Sequence, residues 1–146
     1  MIRIYLDNCC LNRPFDNQNS IRIKLETDAK LHIQFKVQDG KIELAWSYIL
    51  DLENAVNPFE EKKNIIAKWK QLAVADIIES NAILAEAAGF TQFGIKPKDA
   101  LHIACAIEAK CQYFLTTDDN MLKKMTNNVN IAVVNPSDFI KLTETQ

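Results

Sequence analysis

The chain has 146 residues, of which 48% are hydrophobic and 25% charged, and its formal net charge is −2. This length suits one domain, spanning 1–146, that buries roughly 70% of its unfolded surface without covalent staples. The charge balance excludes a histone-like chain coated in basic residues, yet it leaves room for a local basic rim around an acidic site. The first fifteen residues carry Arg3, Asp7 and Arg13 in place of an apolar targeting segment, and no apolar run approaches the ~20 residues of a membrane span. A cytoplasmic protein with reduced thiols is therefore expected. Cys9, Cys10, Cys105 and Cys111, taken with His32 and His102, include no CxxC-like ligand pair, so the cysteines read as small buried hydrophobes rather than zinc ligands.

Residues 2–6 (IRIYL) read as a short buried strand that stops on Asp7. Over 20–38, Ile21, Ile23 and Leu25 alternate as in a strand. That run is nevertheless long, charged and free of turn residues, and Glu26 with Lys30 forms an i,i+4 pair, so a helix is expected. Asp39-Gly40 ends it, and 42–46 reads as a second strand. Ser47 reads as the N-cap of a helix to about 56. Asn57 as cap, Pro58 at the first helical position and Glu60 three residues after the cap predict another helix to about 70. Residues 72–76 read as a short strand, and 80–93 as an alanine-rich helix stopped by Gly94. Pro97 opens a helix over KPKDALHIACAIEAK. A strand over 112–115, a short helix over 119–124, a last strand over 131–134 and a terminal turn or helix after Asn135-Pro136 complete the chain. Strands alternating with helices imply a parallel sheet with helices on both faces. Sites in such sheets lie at the carboxyl ends of the strands, near the point where strand order reverses.

Four acids fall near such ends. Asp7 follows the first strand directly, and Asp118 follows the fourth through Thr116-Thr117. Glu53 lies on the helix after the second strand, and Asp99 in the first turn of the helix that feeds the fourth. The amino end of that helix favours an ionised carboxylate. Four carboxylates in one cleft repel each other and raise their own pKa values, a cost that a hard divalent cation removes. Oxygen-only ligation suits Mg²⁺ or Mn²⁺ better than zinc. One such ion, or a pair about 4 Å apart, supports phosphoryl transfer at a phosphodiester. Three of these acids also have an ordinary reading among the chain's 19 acidic residues: Asp7 as a turn residue, Asp118 as the N-cap of a short helix, Glu53 as a solvated helix residue like Asp51.

IYLDNC, SYILDLE, KPKDALHIACA and YFLTTDDNML, in this order over residues 4 to 121, resemble the PIN-domain family, which includes many bacterial VapC-type toxins. The resemblance implies a three-layer α/β/α sandwich with a central parallel sheet. It also implies Mg²⁺- or Mn²⁺-dependent cleavage of RNA that leaves a 3′ hydroxyl and a 5′ phosphate. Asp7, Glu53, Asp99 and Asp118 match the family's catalytic and metal-binding acids. Thr116 matches the hydroxyl residue that supports the fourth acid, and Asn8 the small polar residue that follows the first. A homodimer and an antitoxin partner are further implications. Cys9 departs from the polar residue of DTN- or DSS-like openings, Asp119 competes with Asp118 as the fourth ligand, and the stretch 54–70 is distinctive.

Other residues surround this core set. His102 stands three residues after Asp99 and reads as a buried, hydrogen-bonded histidine rather than a general base. Lys96, Lys98 and Arg13 are candidates for holding substrate phosphates, and Asn135 for the rim. Trp46 and Trp69 read as core or dimer packing, with Ile65 and Ile66 in the same apolar stripe as Trp69. A catalytically silent PIN-like module that binds RNA or protein is the rival reading. A phosphatase is disfavoured, because Asp7-Asn8-Cys9 lacks the second Asp of a DxD motif and Arg13 stands too near Cys9 and Cys10 for a CX5R loop.

Overall fold

The computed structural model describes residues 1–128 and 130–144. Its strands are β1 (Arg3–Leu6), β2 (Glu43–Ser47), β3 (Ala75–Ile77), β4 (Tyr113–Leu115) and β5 (Ala132–Val134). They pair in the order β3-β2-β1-β4-β5, and every pair is parallel. Helices α1 (Asn8–Asn12), α2 (Ile21–Gln38), α3 (Tyr48–Ala55), α4 (Glu60–Lys70), α5 (Asn81–Thr91), α6 (Pro97–Glu108), α7 (Asp119–Lys124) and α8 (Pro136–Glu144) flank the sheet, giving the three-layer α/β/α sandwich. Every connection between successive strands is a crossover between parallel strands, which helices bridge, as such units require.

The central strands are buried on both faces. Ile4, Tyr5, Leu44, Ala45, Phe114 and Leu115 are all inaccessible or nearly so. A strand covered twice needs a continuous apolar run instead of alternation, which is what IYL, LAW and YFL supply. Tyr5 stacks on Phe114 across the β1–β4 pairing, with ring centroids 5.3 Å apart. α6 presents Ala100, Ile103, Ala104 and Cys105 to the core, and its small residues let α5 pack along it. Trp46 and Trp69 are both core residues. Strand order reverses at β1, so the carboxyl end of β1, where Asp7 stands, is the switch point of the sheet.

Local structure departs from expectation at four places. Between Asp7 and Asp16 the chain forms α1 and a 3-10 turn, Arg13–Phe15, which no periodicity announced. α4 begins at Glu60 rather than at Pro58, because the Asn57 side chain accepts the Phe59 N–H at 3.1 Å and closes a turn ahead of the helix. β3 covers 75–77 rather than 72–76, because the amides of Leu72 and Ala73 bond back to Trp69 and Lys70 and finish α4 first. Finally, Glu26 and Lys30 do not pair. Glu26 is buried and bonds Arg13 Nε at 2.9 Å and Arg22 Nε at 3.2 Å, while Lys30 turns onto the Trp69 ring. A buried carboxylate takes the two planar guanidinium partners within reach in preference to one flexible ammonium.

Candidate active site

Asp7, Glu53, Asp99 and Asp118 line one cleft of about 400 Å³ together with Asn8, Cys9, Asn12 and Asp16. Four different elements deliver the four acids. Asp7 follows β1 directly and caps α1, Glu53 lies on α3, Asp99 is in the first turn of α6, and Asp118 caps α7 just beyond β4. Asp7 and Asp118 are thus both helix caps, Asp118 as its ordinary reading has it, and capping is what aims both carboxylates at the sheet edge.

Asp7 is 6% exposed. Its Oδ1 accepts the Asn8 N–H at 2.8 Å and its Oδ2 accepts the Thr116 hydroxyl at 2.9 Å. The same Thr116 oxygen accepts the Asp118 N–H at 3.1 Å, so one hydroxyl bridges the first and fourth acids. Burial, and then negative charge at Cys9, push the Asp7 carboxyl up to about 8. The Cys9 thiol is drawn down to about 5, first by hydrogen bonding from Cys10 and further by Thr116 and Thr117. Burial and then the Asp118 charge raise Asp99. Ionising Asp7 and Asp99 thus places more negative charge in the cleft than its own surroundings neutralise.

Glu53 ends a buried relay. Ser47 Oγ and the Tyr5 hydroxyl are 2.6 Å apart, and that hydroxyl lies 2.6 Å from His102 Nδ1. His102 Nε2 bonds Glu53 Oε1. Because Glu53 accepts, Nε2 carries the proton; Nδ1 then accepts from Tyr5, and Tyr5 accepts from Ser47. His102 is the buried, hydrogen-bonded histidine that its sequence context predicts. Tyr5 and Ser47 escaped that prediction, since one reads as strand core and the other as a cap. Parallel pairing of β1 with β2 brings them together.

Asp119 stands apart from the cleft: Arg22 grips it through two 2.8 Å bonds, and its side chain is 72% exposed. Arg13 is committed to Glu26 at 2.9 Å and to Asp16 at 3.0 Å, so it neutralises an acid at the edge of the cleft instead of offering a free guanidinium. Lys96 lies beside the acids, in a depression it shares with Gly94, Asn120, Lys124, Asp99 and Asp118. Lys98 is exposed and does not line the cleft. Asn135 bonds Glu26 in a separate depression. Asn12 and Asp16, which sequence reasoning missed, line the cleft because the unanticipated α1 and 3-10 turn fold them back onto it. Among the described residues, no three His, Cys, Asp or Glu side chains are close enough to ligate one ion. The donor set is nonetheless oxygen-rich, four carboxylates with an asparagine beside them, and fits a hard divalent cation in kind.

The sequence profile of the PIN domain matches residues 4–127. The chain belongs to the PIN-domain family. No curated protein matches it. Among solved structures, this PIN domain is similar to a chain of VapBC2 from Rickettsia felis, crystallised bound to a DNA fragment from its promoter. The TM-score is 0.55 at 16% identity, over 92% of this chain and 98% of that one. At that identity the likeness concerns the fold.

Proposed function

We propose that this PIN domain is a Mg²⁺- or Mn²⁺-dependent ribonuclease hydrolysing RNA phosphodiester bonds at the four-acid cleft, and that it is the toxin of a toxin–antitoxin pair. The observation that carries the reading is the convergence of Asp7, Glu53, Asp99 and Asp118, up to 111 positions apart in sequence (118 minus 7), on one cleft at the switch point of the sheet. Asp7, Glu53, Asp99 and Asp118 would hold the cation. It would supply Lewis-acid polarisation at the phosphodiester and neutralise developing charge. His102 holds Glu53 by its Nε2–H, with Tyr5 and Ser47 fixing the tautomer. Thr116 holds Asp7 and the backbone of Asp118 in mutual register.

Two depressions adjoin the cleft and share residues with it. One contains Lys96 and Lys124. The other contains Phe59 and Lys62 and is joined to the cleft through Asn8, Asn12 and Glu53. Lys62 Nζ lies 4.4 Å from the centroid of the exposed Phe59 ring. Lysines at both ends and an exposed ring at one suit a single-stranded RNA laid across the acids, phosphates on ammonium groups and a base on Phe59. The fold shared with VapBC2 supports an antitoxin partner, and the family resemblance supports a homodimer and a cytoplasmic setting. Among the described residues no helix is long and apolar enough to cross a membrane.

The test pairs calorimetric titration of Mn²⁺ with cleavage of 5′-labelled single-stranded RNA, using the wild type and Asp99→Asn. Saturable Mn²⁺ binding and cleavage leaving 5′-phosphate ends are expected, with the variant slower by about 100-fold or more. Wild-type protein that binds RNA but neither takes up Mn²⁺ nor cuts would sink the enzyme reading. It would leave the silent binding module, which the wide spacing of the potential ligands favours.

A further inference from the structure

A second cavity, of about 480 Å³, opens between α2 and α4 on ground the acid cleft does not use. Phe15, Leu31, Ile65, Trp69 and Leu72 supply apolar and aromatic wall. Its charged lining is Lys30 and Lys68, with no acid beside them. Lys30 is unusual. It is 3% exposed, its Nζ lies 4.1 Å from the Trp69 ring centroid, and among the described residues it forms no hydrogen bond or ion pair. Glu26, four residues earlier on α2, is consumed by Arg13, Arg22 and Asn135. Burial draws the Lys30 ammonium down to about 8. A ring face offsets only part of the cost of burying a cation, and buried charges in folded proteins are normally paired.

We propose that this cavity is a binding site for a small organic acid, with the carboxylate on Lys30 and a flat apolar body against Phe15, Leu31 and Ile65. The charge supplies the missing counter-ion. The walls match an apolar body, and the volume falls within the roughly 300–1,000 Å³ of small-molecule sites. Lys68, exposed at the same cavity, adds a second cation that favours an anion's approach. The site stands independently of the nuclease reading. The short run from Asp16, which lines the cleft, to Phe15, which lines the cavity, joins it to the acid cleft.

The probes are benzoate and indole-3-acetate, each titrated calorimetrically beside its own amide into the intact wild-type chain. A capped Leu-Glu-Trp-Leu peptide and its Gln version accompany them. At least one free acid is expected to bind saturably and at least about 10-fold more tightly than its amide, a difference of about 1.4 kcal/mol. Lys30→Met keeps most of the stem volume and is expected to abolish that preference. Because the acid–amide comparison is made on the wild type, it stands even if the variant misfolds. Equal binding of acids and amides, no saturable binding by any probe, or an acid preference that survives in folded Lys30→Met would each overturn the proposal. Binding by the glutamyl peptide alone would overturn the small-ligand assignment in favour of a polypeptide segment.

Discussion

Asp7 caps a helix and lines the acid cleft at once. Hydrogen bonds from the Asn8 amide, the Thr116 hydroxyl and the Cys9 thiol hold it in a nearly buried place where its charge is costly. Its folded pKa of about 8 lies above the ~3.9 of an unfolded aspartate. The folded state therefore holds the proton more tightly. The residue costs nothing below about pH 4, its penalty grows as pH rises towards 8, and above 8 the full penalty remains. Asp7→Asn removes the charge while keeping an oxygen for the Asn8 N–H. Without divalent ions, the variant is expected to melt at least ~5 °C above the wild type at pH 8.5. The gap should close by pH 4. Thermal scans across that range check it, and equal midpoints throughout would refute a buried ionised Asp7. The place of the residue was legible in the sequence as an acid directly after a strand. Its burial was not, because that depends on Thr116, which lies 109 positions away.

At the scale of elements, three serines cap three helices in the same way. Ser20, Ser47 and Ser80 each accept the backbone N–H three residues on, at 3.4, 3.4 and 3.2 Å. Ser47 alone also bonds the buried Tyr5 hydroxyl. In urea unfolding, Ser20→Ala and Ser80→Ala are each expected to cost about 1 kcal/mol. Ser47→Ala is expected to cost about 2–3 kcal/mol, because it also strips a partner from a buried hydroxyl. Ser47→Ala costing no more than the other two would remove Ser47 from the relay. The helices themselves were legible through caps, prolines and glycines, since those signals act within a few residues. Gly94 illustrates this: it takes φ +84° in the turns after α5, close to where the sequence reading ends that helix. Pro58 misled, because the neighbouring Asn57 side chain captured the first free amide. β3 shifted for a related reason, since α4 claimed its first residues.

For the whole molecule, strand order sets local stability. β1 lies at the centre with β2 and β4 beside it, while β3 and β5 are edges of three residues each. Hydrogen exchange is expected to find Tyr5 and Leu6 exchanging only on global unfolding, whereas Ile77 and Val134 exchange through local opening at least about 10-fold faster. Uniform protection across all five strands would contradict this ranking. The same order assembles the acid cleft, because reversal at β1 leaves the end of that strand flanked by β2 on one side and β4 on the other.

By itself the sequence determined the alternation of strands and helices, the buried character of the central strands and the four acids at strand or helix ends. These follow from short-range chemistry: apolar runs, caps and turn residues. Only the tertiary structure placed Asp118 in the cleft and Asp119 outside it, since Arg22 reaches across from α2 to take Asp119. It likewise decided that Arg13 is spent on Glu26 and Asp16, that Tyr5 and Ser47 orient His102, and that Lys30 is left without a counter-ion. Each of these depends on which charged or polar group lies nearest in space, and only the packing of distant segments settles that.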